Sequence, residues 1–387
     1  MVKAIKVMLI PNNVQETKMF EYAGASRFAY NWALAREKEN YEKGGRFISD
    51  SELRKEFTKL RHSDEYAWLL NISNNVTKQA IKDACNAYKN FFKGLKKIPR
   101  FKSRKRSMPK FYQDNVKIQF SNTHVKLEGF SSSRKANKQK LNWVRLAEHG
   151  RISTDAKYMN PRISFDGLNW WISVCVEFPD CKEILNDDGV GIDLGIKDLA
   201  VCSDAVKYKN INKSQKVKKL EKQKRRLQRS ISRSYEKNKK GESYCKTNNV
   251  IKKEKLLLKR NHRLTNIRKN YLNQTISEII NRKPRFICIE DLNVSGMMKN
   301  RHLSKAVQEQ GFFWFRKQLE YKCSDKGIQL IVADRFYPSS KLCSCCGNIK
   351  KDLKLSDRVY RCECGNMIDR DFQASINLKT YGEKFAS

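Results

Sequence analysis

The feature that most restricts how this chain can fold lies near its end. CSCCGNIKKDLKLSDRVYRCECGNMIDRDFQ (343–373) places five cysteines in 22 residues. Cys343-x-x-Cys346-Gly347 has knuckle spacing, Cys362-x-Cys364-Gly365 is one residue tighter, and fifteen residues separate the pairs. Tetrahedral zinc takes four sulfur or nitrogen ligands, and paired cysteines on tight turns supply them. Cys345 is spare or exchanges with Cys346, and the position of Gly347 favours Cys346. A centre closed by four thiolates has no open position, so the pattern predicts one structural Zn²⁺ on Cys343, Cys346, Cys362 and Cys364. The other seven of the twelve cysteines are scattered, Cys175 in WWISVCVEF and Cys288 in FICIED. Such usage suits buried thiols in a reducing, cytoplasmic compartment and not a disulfide framework.

The cysteines run straight into Asp369-Arg370-Asp371. Two more acids close apolar runs: Asp193 follows VGI and precedes Gly195, and Glu290 follows FICI. A side chain at the carboxyl end of a buried strand points into the crevice where open sheets bind ligands. Asp371 lies 81 residues beyond Glu290 and opens the helix-like stretch DFQASINLKTYG. Three carboxylates from two strands and a helix repel one another unless divalent cations sit among them. Mg²⁺ takes oxygen ligands and keeps several waters. Two such ions about 4 Å apart activate a water and stabilise the leaving oxygen of a phosphodiester. GIDLG also opens ATP-binding sugar-kinase and actin-like domains. Those want a small hydroxyl-bearing residue after the glycine and further glycine-rich loops; here Ile196-Lys197 follows, and no such loop appears.

Charge names the partner. Eighty Lys and Arg against 41 Asp and Glu give +39 in 387 residues, with 40% hydrophobic residues. A globular surface so basic repels itself unless a polyanion shares it, and nucleic acid is the expected one. An anionic membrane would require a basic amphipathic helix or an anchor. No stretch approaches the roughly 18 apolar residues that span a bilayer, and MVKAIKVMLIPNN is too short in apolar residues for a signal peptide.

KAIKVML reads as a strand, and residues 14–98 as helices with Ser49 and Ser73 as caps. Residues 91–110 hold nine basic and no acidic residues around two prolines, a basic linker with Lys102, Arg104, Lys105 and Arg106 as nucleic-acid contacts. VKIQF, HVKLEGF, LNWVRL and WWISVCVEF then predict an antiparallel barrel or sheet together with the first strand. Residues 207–269 carry 24 Lys and Arg against four Glu, with apolar spacing for long helices. This predicts a polyanion-facing hairpin with Lys224, Arg225, Arg226 and Arg229 on backbone phosphate. RFICIED and IQLIVAD read as strands around a helix whose Phe312, Phe313, Trp314 and Phe315 are core.

GIDLGIKDLAV, FICIEDLNV, FYPSSKLCSCCG and RCECGNMIDRDFQASINL, in this order, resemble the TnpB family, encoded by insertion sequences and ancestral to type V CRISPR effectors. FAYNWAL and IPRFKSRKRS extend the resemblance over the whole chain. It implies a multidomain α+β protein: a wedge-type β-barrel (1–13 and 108–186) with a helical recognition insert (14–107), and a ribonuclease H-like RuvC nuclease (187–335 and 366–387) holding a zinc ribbon (336–365). It implies RNA-guided cleavage of double-stranded target DNA beside a short flanking motif, with guide RNA and Mg²⁺ as cofactors and a nucleoid-associated cytoplasmic location, as monomer or homodimer. The catalytic acids implied are Asp193, Glu290 and Asp371, the second aspartate of its triplet. A CRISPR-array-associated miniature effector carries the same motifs. A nuclease-inactive RNA-guided repressor loses one or more of these acids, and all three are present. Where the family usually has Asn two residues after the last acid, this chain departs with Gln373, which alters activity if the amide at that position orients substrate or a metal-bound water.

Overall fold

The computed structural model describes residues 1–130, 141–179, 183–241, 243–354 and 357–386. Contacts divide the chain into two units, residues 1–179 and 180–387.

In the first unit, β1 (Val2–Ile10) is followed by α1 (Asn13–Glu42), α2 (Asp50–Arg61) and α3 (Asn74–Phe92). Ser49 and Ser73 cap α2 and α3 as expected, each accepting a backbone N–H of the first turn. Six strands follow: β2 (Lys110–Tyr112), β3 (Gln119–Phe120), β4 (His124–Lys126), β5 (Trp143–Leu146), β6 (Tyr158–Phe165) and β7 (Trp170–Glu177). Strict alternation in β7 buries Trp170, Ile172, Val174 and Val176 on one face. Helices and sheet share one core, where Tyr22 of α1 meets Phe111 and Phe130.

The strands form an open antiparallel sheet in the order β2-β6-β7-β1-β5-β4-β3, not a closed barrel. The edge strands that closure would join are three and two residues long. Between them Asp114 draws the chain into a local turn: its Oδ1 accepts the Val116 and Lys117 N–H groups, and its carbonyl accepts that of Ile118. Val116 is therefore 87% exposed, and VKIQF supplies only its last two residues to the sheet.

The second unit begins with β8 (Val190–Leu194), β9 (Asp198–Cys202) and β10 (Lys207–Lys209). The helices α4 (Gln215–Lys237) and α5 (Asn248–Asn281) then form the basic hairpin, joined through the short strands β11 (Lys239–Lys240) and β12 (Ser243–Tyr244). Next come β13 (Phe286–Glu290), α6 (Val294–Lys299), α7 (Ser304–Gln310), α8 (Phe312–Lys326) and β14 (Gln329–Ala333). A small hairpin of β15 (Val359–Arg361) and β16 (Met367–Asp369) leads into α9 (Arg370–Phe385). The five-stranded sheet runs β10-β9-β8-β13-β14; the β8–β9–β10 pairings are antiparallel, and β13 lies parallel to both β8 and β14.

This sheet is covered on both faces, which explains the unbroken apolar run FICI. Ile287 and Ile289 join the core formed with Leu272, Ile276 and Ile279 of α5 and with Phe312, Phe315 and Leu319 of α8. Phe286 and Cys288 face Leu378 of α9. Of the four aromatics expected in the core, Phe313 instead stands 63% exposed. Among the described residues no helix is long and apolar enough to cross a membrane, and Cys181 lies outside them.

Candidate metal centres

Asp193 is the penultimate residue of β8 and Glu290 the last of β13, each one residue past the parallel pairing of Ile192 with Ile289. Helix α9 reaches them because position 191 has no side chain. A Cβ there would stand 2.0 Å from the Ser375 carbonyl oxygen and 2.4 Å from the Lys379 nitrogen. That close approach of helix to strand carries Asp371, in the first turn of α9, to the other two acids. The three sense one another. Burial, then the charges of Glu290 and Asp371, push Asp193 well above the usual carboxylate range. Burial pushes Glu290 up to about 7, against the Leu194 N–H that bonds it, and Asp371 adds to the rise. Asp193 and Glu290 thus resist ionisation beside a further carboxylate, surroundings in which a cation would favour their charged forms.

Each of the last two acids has a neighbour in sequence that the fold consumes. Asp291 is held by Arg316 at 2.7 Å and by Arg335 at 2.5 Å, which keep its carboxyl low. Asp369 caps α9, its Oδ1 accepting the Asp371 and Phe372 N–H groups, and pairs with Lys207 at 3.3 Å. Despite partial burial, the Phe372 N–H and Lys207 hold it below the normal range. Asp371 itself is 18% exposed and is oriented by Arg370 at 3.1 Å, with Arg358 at 3.9 Å. These partners lie beyond what the motifs announce. A cleft of about 260 Å³ opens beside Glu290, lined by Leu194, Asn293, Phe312 and Arg316.

The Sγ atoms of Cys343, Cys346, Cys362 and Cys364 all lie within 4.8 Å of one another. Cys343 is 3.7 Å from Cys364, and Cys346 is 3.5 Å from Cys362. A tetrahedron of bonds of ~2.3 Å places thiolates roughly 3.8 Å apart, so the four could hold one structural metal ion. Cys345 stands apart from the cluster and is exposed. Cys343 is drawn down to about 6, against its burial, by the Cys346 N–H, the Asn366 amide and the Cys345 N–H.

Gln373 is fully buried and faces the cysteines. Its Nε2 donates to the Leu342 carbonyl at 2.8 Å, and its Oε1 accepts from Asn366 at 2.9 Å and Ser344 at 3.1 Å. All the hydrogen bonds described for this amide are spent on the surroundings of the cluster.

The basic residues divide. Arg104, Lys105 and Arg106 are exposed on a turn. Lys102 is not free: Asn31 of FAYNWAL exchanges two 2.8 Å bonds with its backbone, and its Nζ sits 3.0 Å from the centre of the Tyr30 ring. Burial, with Lys110 next, lowers it to about 8. On α4, Arg225, Arg226 and Arg229 line one groove with Lys218, Lys222 and Lys305. Lys224 turns instead toward Glu221, at 3.6 Å. Arg268 neutralises the acids of that groove, reaching Glu221 at 3.1 Å and Glu309 at 3.3 Å.

Comparison with known proteins places this geometry in a lineage. Residues 312–378 match the family described as "Cas12f1-like, TNB domain", residues 173–301 the family "Probable transposase", and residues 1–46 a "Helix-turn-helix domain". The last of these stretches folds here as one strand and one long helix. Over 98% of both chains the fold is similar, with a TM-score of 0.61 and 12% identity, to a protein solved in the "Cas12f1-sgRNA-target DNA complex". A Streptomyces pristinaespiralis protein named "Putative RNA-guided DNA endonuclease" is 28% identical over 98% of this chain and 89% of its own. "Putative RNA-guided DNA endonuclease InsQ" of Escherichia coli (strain K12) is 30% identical over 93% of this chain and 87% of its own. With that identity sustained over almost its full length, the chain belongs to the TnpB family.

Proposed function

We propose that this chain is an RNA-guided endonuclease that cuts double-stranded DNA beside a short flanking motif, by two-metal-ion hydrolysis on a ribonuclease H-like RuvC domain. The observation that carries the reading is that Asp193, Glu290 and Asp371 come together near the carboxyl ends of β8 and β13, while Arg316, Arg335 and Lys207 take up the neighbouring Asp291 and Asp369. Family membership supports it, as do relatives named RNA-guided DNA endonucleases and a neighbour solved with guide RNA and target DNA.

Asp193, Glu290 and Asp371 would hold the divalent cations. When bound, Mg²⁺ supplies a hydroxide at neutral pH and stabilises the charge that develops on the phosphate and leaving oxygen. The chain's own contribution is positional. The Leu194 N–H fixes the Glu290 carboxylate, Arg370 and Arg358 steer Asp371, and Gly191 sets the depth of α9. Cys343, Cys346, Cys362 and Cys364 would hold one Zn²⁺, closed and structural. The groove of Lys218, Lys222, Arg225, Arg226, Arg229 and Lys305 fits a nucleic-acid backbone, while base pairing with the guide carries sequence.

The test begins with the RNA that co-purifies. Its sequenced ends define the guide, which is then replaced by one matching a chosen plasmid. Mg²⁺-dependent breaks that follow the guide are expected. A chain that binds the RNA yet never cuts matched DNA would be an RNA-binding accessory factor, and the proposal would fall.

A further inference from the structure

Gln373 binds around Cys343 from three sides. It holds Leu342 before that cysteine, Ser344 after it, and Asn366 of the opposite knuckle, whose Nδ2 also donates to the Cys343 sulfur at 3.4 Å. The Leu342 carbonyl can only accept, which directs Nε2 toward it and Oε1 toward Asn366. One turn further along α9, Asn377 donates to the same carbonyl at 2.7 Å and to that of Ser339 at 2.7 Å. Gln373, Ser375 and Asn377 are all buried. The first turn of α9, which carries Asp371, is thus pinned to the cysteine cluster through side-chain amides as well as through the chain.

We propose that Gln373 is a positioning residue that couples metal occupancy of the cysteine cluster to the seating of Asp371, with Asn366 as its relay to the Cys343 sulfur. With the four sulfurs drawn together, Leu342, Ser344 and Asn366 form a fixed cradle, and the buried amide of Gln373 has a single place to sit. When the cluster opens, the cradle parts and the turn bearing Asp371 loses its anchor. The inference rests on the reading of Asp193, Glu290 and Asp371 as the divalent-cation site.

The test needs no DNA cleavage. Zinc affinity is measured by chelator competition for the wild-type chain, Gln373→Leu and Asn366→Ala; the second variant alters a partly exposed side chain of the cluster hairpin and keeps the test open if the buried one misfolds. Both should weaken zinc about 10- to 100-fold, as partners of ligands do. Mn²⁺, standing in for Mg²⁺, is then titrated by electron paramagnetic resonance with and without zinc. Stripping zinc should weaken Mn²⁺ binding about tenfold in the wild-type chain and no further in Gln373→Leu, since a coupling already cut cannot be cut again. Wild-type zinc affinity in both variants, or an equal Mn²⁺ loss in both backgrounds, would overturn the coupling and leave the catalytic reading intact. No Mn²⁺ binding by wild-type protein that Glu290→Gln abolishes would overturn the catalytic reading itself.

Discussion

The cysteine cluster and the carboxylate cluster meet at the start of α9 but are assembled in opposite ways. All four sulfurs come from 22 consecutive residues, and their geometry needs two turns and one small hairpin. The carboxylates are separated by 97 and 81 residues and converge only when β8, β13 and α9 have packed. The thiolate site can therefore form locally with its metal, whereas the acid site reports the integrity of the whole unit. In the proposed reading, soft, closed coordination serves structure and hard, open coordination serves chemistry.

The contrast breaks most visibly at the acids. Asp371→Asn should lower single-turnover cleavage on the order of a thousandfold. Combined with Asp193→Asn it should cost little more, because the two act as one unit. Asp369→Asn should stay within about tenfold of wild type, since asparagine caps a helix about as well as aspartate. A severe loss there with Asp371→Asn active would exchange the roles of the two residues.

The cysteine side should fail differently. Cys362→Ser should release about one zinc per chain, found by metal analysis, and open residues 336–365 to protease, because metal binding on the order of 10 kcal/mol is coupled to local folding. A parent chain purified without chelator that holds no zinc would defeat this half of the comparison.

Gly191→Ala strikes the packing that unites the two sites. Its Cβ meets backbone of α9 at 2.0 Å, so the helix must shift, at about 1–3 kcal/mol in denaturant unfolding. Stability equal to wild type would show that α9 has freedom to move.

The gentlest probe is pH. Glu290 holds its proton up to about 7 in the fold, well above its ordinary 4.5. The stability this contributes is complete below about 4.5 and is lost as pH rises through about 7. In EDTA the melting temperature should fall from pH 5 to pH 8. Added Mg²⁺ should restore more at pH 8 than at pH 6, and Glu290→Gln should flatten the slope. A melting temperature that rises over this range would contradict the burial of the acid site.

What the sequence discloses follows the same division. Cysteine spacing is local chemistry and is readable directly. Asp193 and Glu290 are readable because each ends an apolar run. What takes up the neighbouring Asp291 is not, since Arg316 and Arg335, which hold it, lie 25 and 44 residues away. Strand β6 escapes pattern reading because Asn160, at positive φ, and Pro161 break its alternation, and a bulge between Met159 and Arg162 absorbs them. Lys102 reads as a phosphate contact from its basic neighbours; only the Asn31 clamp and the Tyr30 ring reveal it as an anchor. The sheet stays open at a turn on Asp114, between its two edge strands, that no hydrophobic pattern marks.

The central claim is that guide-directed cutting rests on the carboxylate cluster and binding does not. It is tested most directly by Glu290→Gln, loaded with a guide matched to a plasmid. The amide is nearly isosteric, so FICIE should pack unchanged, but it is a poorer ligand for a hard cation. The account predicts wild-type affinity for guide RNA and matched DNA in EDTA, with cleavage in Mg²⁺ down on the order of a thousandfold or more. Wild-type cutting by Glu290→Gln would contradict it.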